Sequence, residues 1–318
     1  MRLALVGYGN VGRALARLIK KKRSAYPFRI TGIHTARHGT AVSGRGLPLE
    51  PAFAARAASI EEFLEAARAD TVVELSTLNP STGEPATTHI RAAFARGMHV
   101  VTANKGPIAH HYGELRAEAE RRGVRFLFES TVMDGAPVYN MVRSCLPGVA
   151  VLGFTGVLNS TSKLVVEAME QGGTFEEGVE AARRMGVAEA DASFDLEGWD
   201  SACKTAALAN VLMDARTNPL AVSTRGITRL TPERVRALSA AGKTVRLVSR
   251  ARRNAGGVAL RVRAEVLDRH DLLATVRGTS NLLLLHTDLM GTVGTVSVAP
   301  GVEQTAYGVF GDLVELAG

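Results

Sequence analysis

The glycine spacing next to the N-terminus constrains this chain more than any other feature. Residues 2–6, Arg-Leu-Ala-Leu-Val, read as a short buried strand. Gly7-Tyr8-Gly9-Asn10-Val11-Gly12 follows at once and leads into helical spacing from Arg13 to Lys22. A G-x-G-x-x-G run has meaning only in this strand–turn–helix setting. The first glycine makes the tight turn, the second lets the main chain approach a pyrophosphate, and the third lets the helix pack on the strand. The helix N-terminus then faces the phosphates. Gly7, Gly9, Asn10, Val11 and Gly12 are therefore expected to bind a dinucleotide.

The next strand, expected at 29–33, should end beside the adenosine ribose. An NAD site usually places an Asp or Glu there to bond the 2′-hydroxyl. This chain instead has His34-Thr35-Ala36-Arg37-His38, with no acid and one strong cation. Arg37 suits a 2′-phosphate, and Thr35 can donate to it. The expected cofactor is NADP, with NAD as the alternative if Arg37 is only a solvated loop residue.

Further strands are expected at 71–75, 98–102 and 124–128, alternating with helices at 11–22, 59–68, 86–96 and 111–122. Such alternation indicates a parallel sheet. Ligands bind at the carboxyl ends of strands in open α/β sheets. Two turns fall there: Ser76-Thr77, and Thr102-Ala103-Asn104-Lys105. These residues join the cofactor-binding set, and Lys105 is expected to face the crevice.

The second half has a different texture. Strands are expected at 150–157, 220–227, 258–266, 281–287 and 292–298, and helices at 161–171, 175–185, 201–213 and 232–241. Thr174 with Glu177 makes a capping box, Gly186 is a helix-ending glycine, and Thr231-Pro232 starts another helix. The fold class is α/β: a Rossmann dinucleotide-binding domain at 1–133, and an α+β catalytic domain with a mixed open sheet at 134–303. A helix at 304–318 is expected to return to the nucleotide domain.

Chemistry in this half concentrates between residues 181 and 204. A loop after Gly186 holds Glu189, Asp191, Asp195 and Glu197, and Asp200 lies four residues before Lys204. On a helix those last two side chains share a face, with Cβ atoms roughly 5–6 Å apart. A lysine beside fixed carboxylates can donate a proton while the carboxylates hold a substrate ammonium group. A solvated acidic loop with an ordinary ion pair is the competing reading.

Composition narrows the partners. The chain has 318 residues, 46% hydrophobic, with no apolar run of the length a membrane span needs. The N-terminus enters the first strand directly, which leaves no room for a signal peptide. Cys145 and Cys203 are the only cysteines, so a disulfide scaffold is not expected and a reducing cytoplasm is. Cys203 reads as a core thiol. The eight histidines show no metal-ligand spacing, and His110-His111 reads as surface. The net charge of +7 suits an anionic dinucleotide. Cations are spread out, with short clusters at 20–23 and 250–253, and aromatic residues are only 5%. Neither nucleic acid nor a membrane is expected as a partner.

Taken together, the motifs resemble the homoserine dehydrogenase family over nearly the whole chain. They are GYGNVG at 7–12, TANKGP at 102–107, ESTVMDGAPVY at 129–139, GVLNSTSKLV at 156–165, the stretch 185–204, LATVRGTSN at 273–281 and TAYGVFGDL at 305–313. The resemblance implies reversible reduction of L-aspartate 4-semialdehyde to L-homoserine, with Lys204 and Lys105 as acid–base lysines. It implies that Glu189 and Asp200 bind the substrate amino group, that Asp195 supports them, and that Gly186 lies against the nicotinamide. It also implies a monovalent cation, Na+ or K+, on the backbone carbonyls of Glu129, Val132, Asp134 and Ala136, and a homodimer. Two departures stand out. Asn159-Ser160-Thr161 replaces the frequent Asn-Gly-Thr. Ala299-Pro-Gly301-Val-Glu303 replaces a GPGAG-like loop over the cofactor, where Gly301 is retained. The chain ends at Gly318, so no ACT or kinase domain is expected. A dehydrogenase for another small amino-acid aldehyde or alcohol is the alternative function, and a non-catalytic dinucleotide sensor is the second.

Overall fold

The computed structural model describes residues 1–188 and 191–318. In chain order the strands are β1 (Arg2–Val6), β2 (Arg29–Thr35), β3 (Gly39–Val42), β4 (Thr71–Glu74), β5 (His99–Thr102), β6 (Phe126–Leu127), β7 (Val151–Val157), β8 (Ser223–Arg225), β9 (Lys243–Asn254), β10 (Gly257–Asp268), β11 (Asn281–Thr287) and β12 (Thr292–Ser297). The α-helices are α1 (Asn10–Lys21), α2 (Ile60–Ala67), α3 (Ala86–Ala95), α4 (Lys105–Arg122), α5 (Ser160–Glu170), α6 (Phe175–Arg184), α7 (Ser193–Leu196), α8 (Trp199–Met213), α9 (Pro232–Ala240) and α10 (Val302–Ala317). The chain divides into two compact units, Met1–Pro137 with Gly301–Gly318, and Val138–Pro300.

The first unit is a six-stranded sheet ordered β3-β2-β1-β4-β5-β6. All neighbours are parallel except β2 and β3, which form an antiparallel hairpin. Its strands are buried almost throughout, as in a sheet covered on both faces. The register sets Val6 beside His34 and beside Glu74, and Glu74 beside Thr102. Four strand ends therefore share one edge. Gly7 makes that edge possible: its φ is +99°, and a Cβ there would stand 2.3 Å from the Leu75 carbonyl oxygen. Gly12 is needed for packing, since its Cβ would come within 3.0 Å of the Gly7 oxygen.

α10 belongs to this unit although it closes the chain. Its Val309, Phe310 and Leu313 join Leu15 and Ile19 of α1 in one buried cluster. The Phe310 ring meets Tyr26 edge-on at 5.5 Å and Phe28 at 5.8 Å.

The second unit is a mixed sheet ordered β12-β11-β7-β9-β10-β8, antiparallel except for the β8–β10 pair. Among the described residues, no helix is long and apolar enough to cross a membrane. The two-sheet α/β architecture agrees with the fold class read from the sequence.

Several local expectations need correction. The helix expected from residue 111 begins at Lys105, because the Asn104 side chain caps it by accepting from the Gly106 N–H at 3.0 Å. The strand expected at 124–128 keeps only Phe126 and Leu127. β9 was not anticipated: its arginines masked the alternation, yet it pairs with β10 along twelve residues. The basic cluster 250–253 lies in that strand, with Arg250 bonded to Glu265 at 2.7 and 3.0 Å and Arg253 to the Met213 carbonyl at 2.6 Å. His110 and His111 are not idle surface residues, since their rings meet the carbonyls of Pro80 and Thr82 at 2.8 and 3.1 Å.

The aromatic contacts of α10 yield a stability prediction. Phe310→Ala should cost about 3–5 kcal/mol, the usual range for emptying a buried aromatic site. Tyr307→Ala, at a position 60% exposed in the same helix, should stay within about 0.5 kcal/mol of the parent. Denaturant unfolding of the two variants makes the comparison, and equal losses would show that α10 is not anchored through Phe310.

Candidate active site

In the first unit the candidate site is the shared strand edge. Gly9 has no heavy atom within 4 Å of where its Cβ would stand, so the glycine-rich turn presents open backbone beside the N-terminus of α1. Such a terminus offers N–H groups and the positive end of the helix dipole to an anion. Next to it, the Ser76 hydroxyl is buried without a partner among the described residues. A buried unpaired hydroxyl is costly, and a ligand polar group in the crevice would satisfy it. Open backbone, helix terminus and orphaned hydroxyl fit a dinucleotide.

A fully buried carboxylate shapes this edge. Glu74, at the end of β4, accepts from the Ser76 N–H at 3.1 Å and lies 3.3 Å from Nδ1 of His89, and the Thr102 hydroxyl shares its proton between the Glu74 carbonyl at 3.0 Å and the carboxylate at 3.3 Å. Asn104 donates to the Ser76 carbonyl at 3.2 Å. Ser76, Thr102 and Asn104 are thus brought together, with Thr77 exposed beside them and Lys105 at the first position of α4. In the sequence Glu74 reads only as part of the strand expected at 71–75. An acid closing such a strand was the available signal.

Thr35 does not take the part expected of it. Its hydroxyl donates to the Gly39 carbonyl at 3.2 Å and accepts from the His38 N–H at 2.9 Å. A hydroxyl has one proton, and this one closes the β2–β3 turn. Arg37 is exposed on that turn. Gly301 precedes α10, and its N–H donates to the Gln304 side chain at 2.9 Å. Glu303, the charge that made the departing loop conspicuous, lies 3.8 Å from Arg17 of α1.

The second unit gathers the acid–lysine group. α8 places Asp200 and Lys204 one turn apart, with Nζ 3.0 Å from Oδ2. The ammonium also donates to the Leu158 carbonyl at 2.6 Å. Lysine has three N–H donors, so one is left for a ligand among the described residues. Asn159 organises the carboxylates. Its Oδ1 caps α5 by accepting from the Ser162 N–H at 2.8 Å, while its amide nitrogen donates to Asp195 at 2.7 Å and to Asp200 at 3.0 Å. Thr161 donates to the other oxygen of Asp195 at 2.7 Å. Ser160, where the family often has glycine, donates to the Thr279 carbonyl at 3.1 Å. Lys163, almost fully buried, bonds the Ser280 carbonyl and Asn281. The motif alone gives Asn159 and Thr161 no role. An Asn directly before a helical run is the cap signal that marks the first.

Burial pushes the Asp195 carboxyl above its ordinary pKa, and the nearby Asp200 charge adds to this. Bonds from Thr161 and Asn159 and the charge of Lys204 pull the other way. Gly186 has φ +69° just past α6. Glu189 lies outside the described residues.

Comparison with known proteins decides the family. The family model described as homoserine dehydrogenase matches residues 137–314, and the one described as homoserine dehydrogenase, NAD binding domain, matches residues 7–129. The chain belongs to the homoserine dehydrogenase family. It is 34% identical to an NAD(+)-dependent homoserine dehydrogenase of Pseudomonas canavaninivorans, over 99% of this chain and 96% of that one. It is 33% identical to the homoserine dehydrogenase of Methanocaldococcus jannaschii, over 99% and 98%. The crystal structure of a putative homoserine dehydrogenase from Archaeoglobus fulgidus superposes with a TM-score of 0.89 at 29% identity, covering 99% of both chains. As a homoserine dehydrogenase family member, the chain is an NAD(P)-dependent oxidoreductase acting on a CH–OH group.

The Asp195 environment gives a pH prediction. A carboxyl whose folded-state pKa lies above its unfolded value favours folding below that unfolded value, here 3.8, and loses the contribution as pH rises through the folded value. Asp195→Asn carries no such titration. The melting temperature of the variant minus that of the parent should therefore increase from about pH 4 to about pH 7. A difference that is flat with pH would show that Asp195 ionises as readily in the fold as out of it.

Proposed function

We propose that this protein interconverts L-homoserine and L-aspartate 4-semialdehyde, with NADP preferred over NAD. The observation that carries this reading is the cluster of Asp195, Asn159, Asp200 and Lys204: two acids from different helices joined by one amide, with a lysine beside the second. Asp200, together with Glu189, holds the substrate ammonium, and Asp195 fixes Asp200 through Asn159. Lys204 uses two donors to hold its place and directs the third at the substrate oxygen.

A reduced nicotinamide dinucleotide held by the glycine-rich turn would supply the hydride that reduces the aldehyde carbon. Lys204 then gives a proton to the alkoxide, and water restores it. Positioned proton transfer of this kind contributes about 10²–10⁴-fold. Lys105 is the second acid–base lysine. The glycine-rich turn, Ser76, Thr77, Thr102, Asn104 and Gly301 bind the dinucleotide, and Gly186 meets its nicotinamide end. The irregular backbone around Asp134, with φ +57°, supports a monovalent-cation site on the carbonyls of Glu129, Val132, Asp134 and Ala136. The protein acts as a cytoplasmic homodimer formed through the second unit, whose sheet carries a cavity of about 830 Å³ with the exposed Leu152 at its rim.

For cofactor choice the support is Arg37. It follows a strand that ends without an acid, and it makes no ion pair with any described residue. A guanidinium binds a phosphate bidentately. The Pseudomonas relative is named NAD(+)-dependent, so NAD is the competing assignment.

Two experiments test these roles. Lys204→Ala should lower kcat by about 10² or more with cofactor affinity nearly unchanged; near-parental turnover would move the role to Lys105. Arg37→Ala should erase most of the NADP preference in kcat/KM, and a parent enzyme that prefers NAD would end the 2′-phosphate assignment.

A further inference from the structure

A second cavity lies in the first unit, at the other end of α1 from the glycine-rich turn. It has a volume of about 530 Å³ and is framed by the last turn of α1, the start of β2 and residues 45–49. Lys20 stands about 15 Å along α1 from Asn10, at 1.5 Å per residue. β2 runs parallel to β1, so Arg29 marks the amino edge of the sheet, whereas the glycine-rich turn follows the carboxyl edge. The cavity is thus separate from the dinucleotide site.

Its floor is apolar, with Ile19, Phe28 and Ile30 all buried. Its rim is cationic, with Lys20, Arg23, Arg29 and Arg45 all exposed and no acidic residue in the lining. None of the four side chains has an ion pair or hydrogen bond to a described residue. Elsewhere in this unit Arg2, Arg91, Arg116, Arg122 and Arg125 each pair with a carboxylate. The backbone also holds the rim in place: Gly46 has φ +98°, and a Cβ there would stand 2.9 Å from Cγ of Arg29. The stem of Arg29 therefore lies against a position that only glycine leaves open.

Like charges gathered without counter-charges repel, and their field concentrates anions between them. An apolar floor with a few convergent polar groups is the usual make-up of a small-molecule site. Pure phosphate would leave the floor unused, and an uncharged apolar molecule would leave the rim unused. We propose that this cavity binds an organic polyanion: a flat apolar body on the Phe28 floor, with two or more phosphate, sulfonate or carboxylate groups held by Arg29, Arg45, Lys20 and Arg23.

Pyrenetetrasulfonate, an aromatic polyanion that fluoresces, tests this by titration of the whole protein saturated with NADP+. It should bind one equivalent per chain, about tenfold or more tighter than tripolyphosphate, which has charge but no apolar body. The double variant Arg29→Gln/Arg45→Gln should weaken binding by about tenfold or more, because charge-assisted contacts are lost. If that pair melts early, Lys20→Gln/Arg23→Gln should give the same loss. The proposal is overturned by absence of binding, by undiminished binding in the variants, or by equal affinity for tripolyphosphate. None of these outcomes bears on the Lys204 mechanism.

Discussion

The amide of Asn159 is the contact on which the acid–lysine cluster of the second unit depends. Two carboxylates, Asp195 and Asp200, approach each other from separate helices. Left alone they would repel in a buried setting where charge is expensive. One side chain answers both by donating a hydrogen to each, and its oxygen ties the arrangement to the N-terminus of α5. Lys204 then adds positive charge at the same Asp200 oxygen that Asn159 reaches. Each group holds the next, so the Lys204 ammonium is set by packing and hydrogen bonds and not by its own flexible stem.

The cofactor half rests on backbone geometry. Gly7 and Gly12 permit an approach that a single Cβ would block. The parallel register then delivers the ends of β1, β2, β4 and β5 to one edge. Glu74 and Thr102 organise the turns that follow β4 and β5 from beneath. Helix α10 completes the same unit from the far end of the sequence, through aromatic contacts with Phe28 and Tyr26.

How legible this was depended on how local each signal is. The glycine motif, the capping box at Thr174 and the pairing of Asp200 with Lys204 sit within a few residues, and their meaning follows from spacing. Asp195 was visible as an acid, but its join to Asp200 runs through Asn159, about forty positions earlier, and no periodicity reports that. β9 escaped notice because Arg250, Arg252 and Arg253 interrupt its apolar alternation. Arg250 and Arg253 find partners on other elements, Glu265 and the Met213 carbonyl. Thr35 was misjudged for a related reason: the β2–β3 hairpin, itself unanticipated, takes up its proton.

Substrate turnover tests the central reading most directly. Initial rates of dinucleotide reduction should be compared for L-homoserine and for L-serine, whose hydroxyl is one methylene closer to the ammonium. In the proposed roles, an ammonium held by carboxylates and an oxygen held by Lys204 define one spacing. The account predicts saturable turnover of homoserine with a kcat/KM at least about tenfold above that for serine, since a single methylene discriminates by about 10–200-fold. Absence of homoserine turnover with either NADP+ or NAD+, or a preference for the shorter amino alcohol, would contradict it.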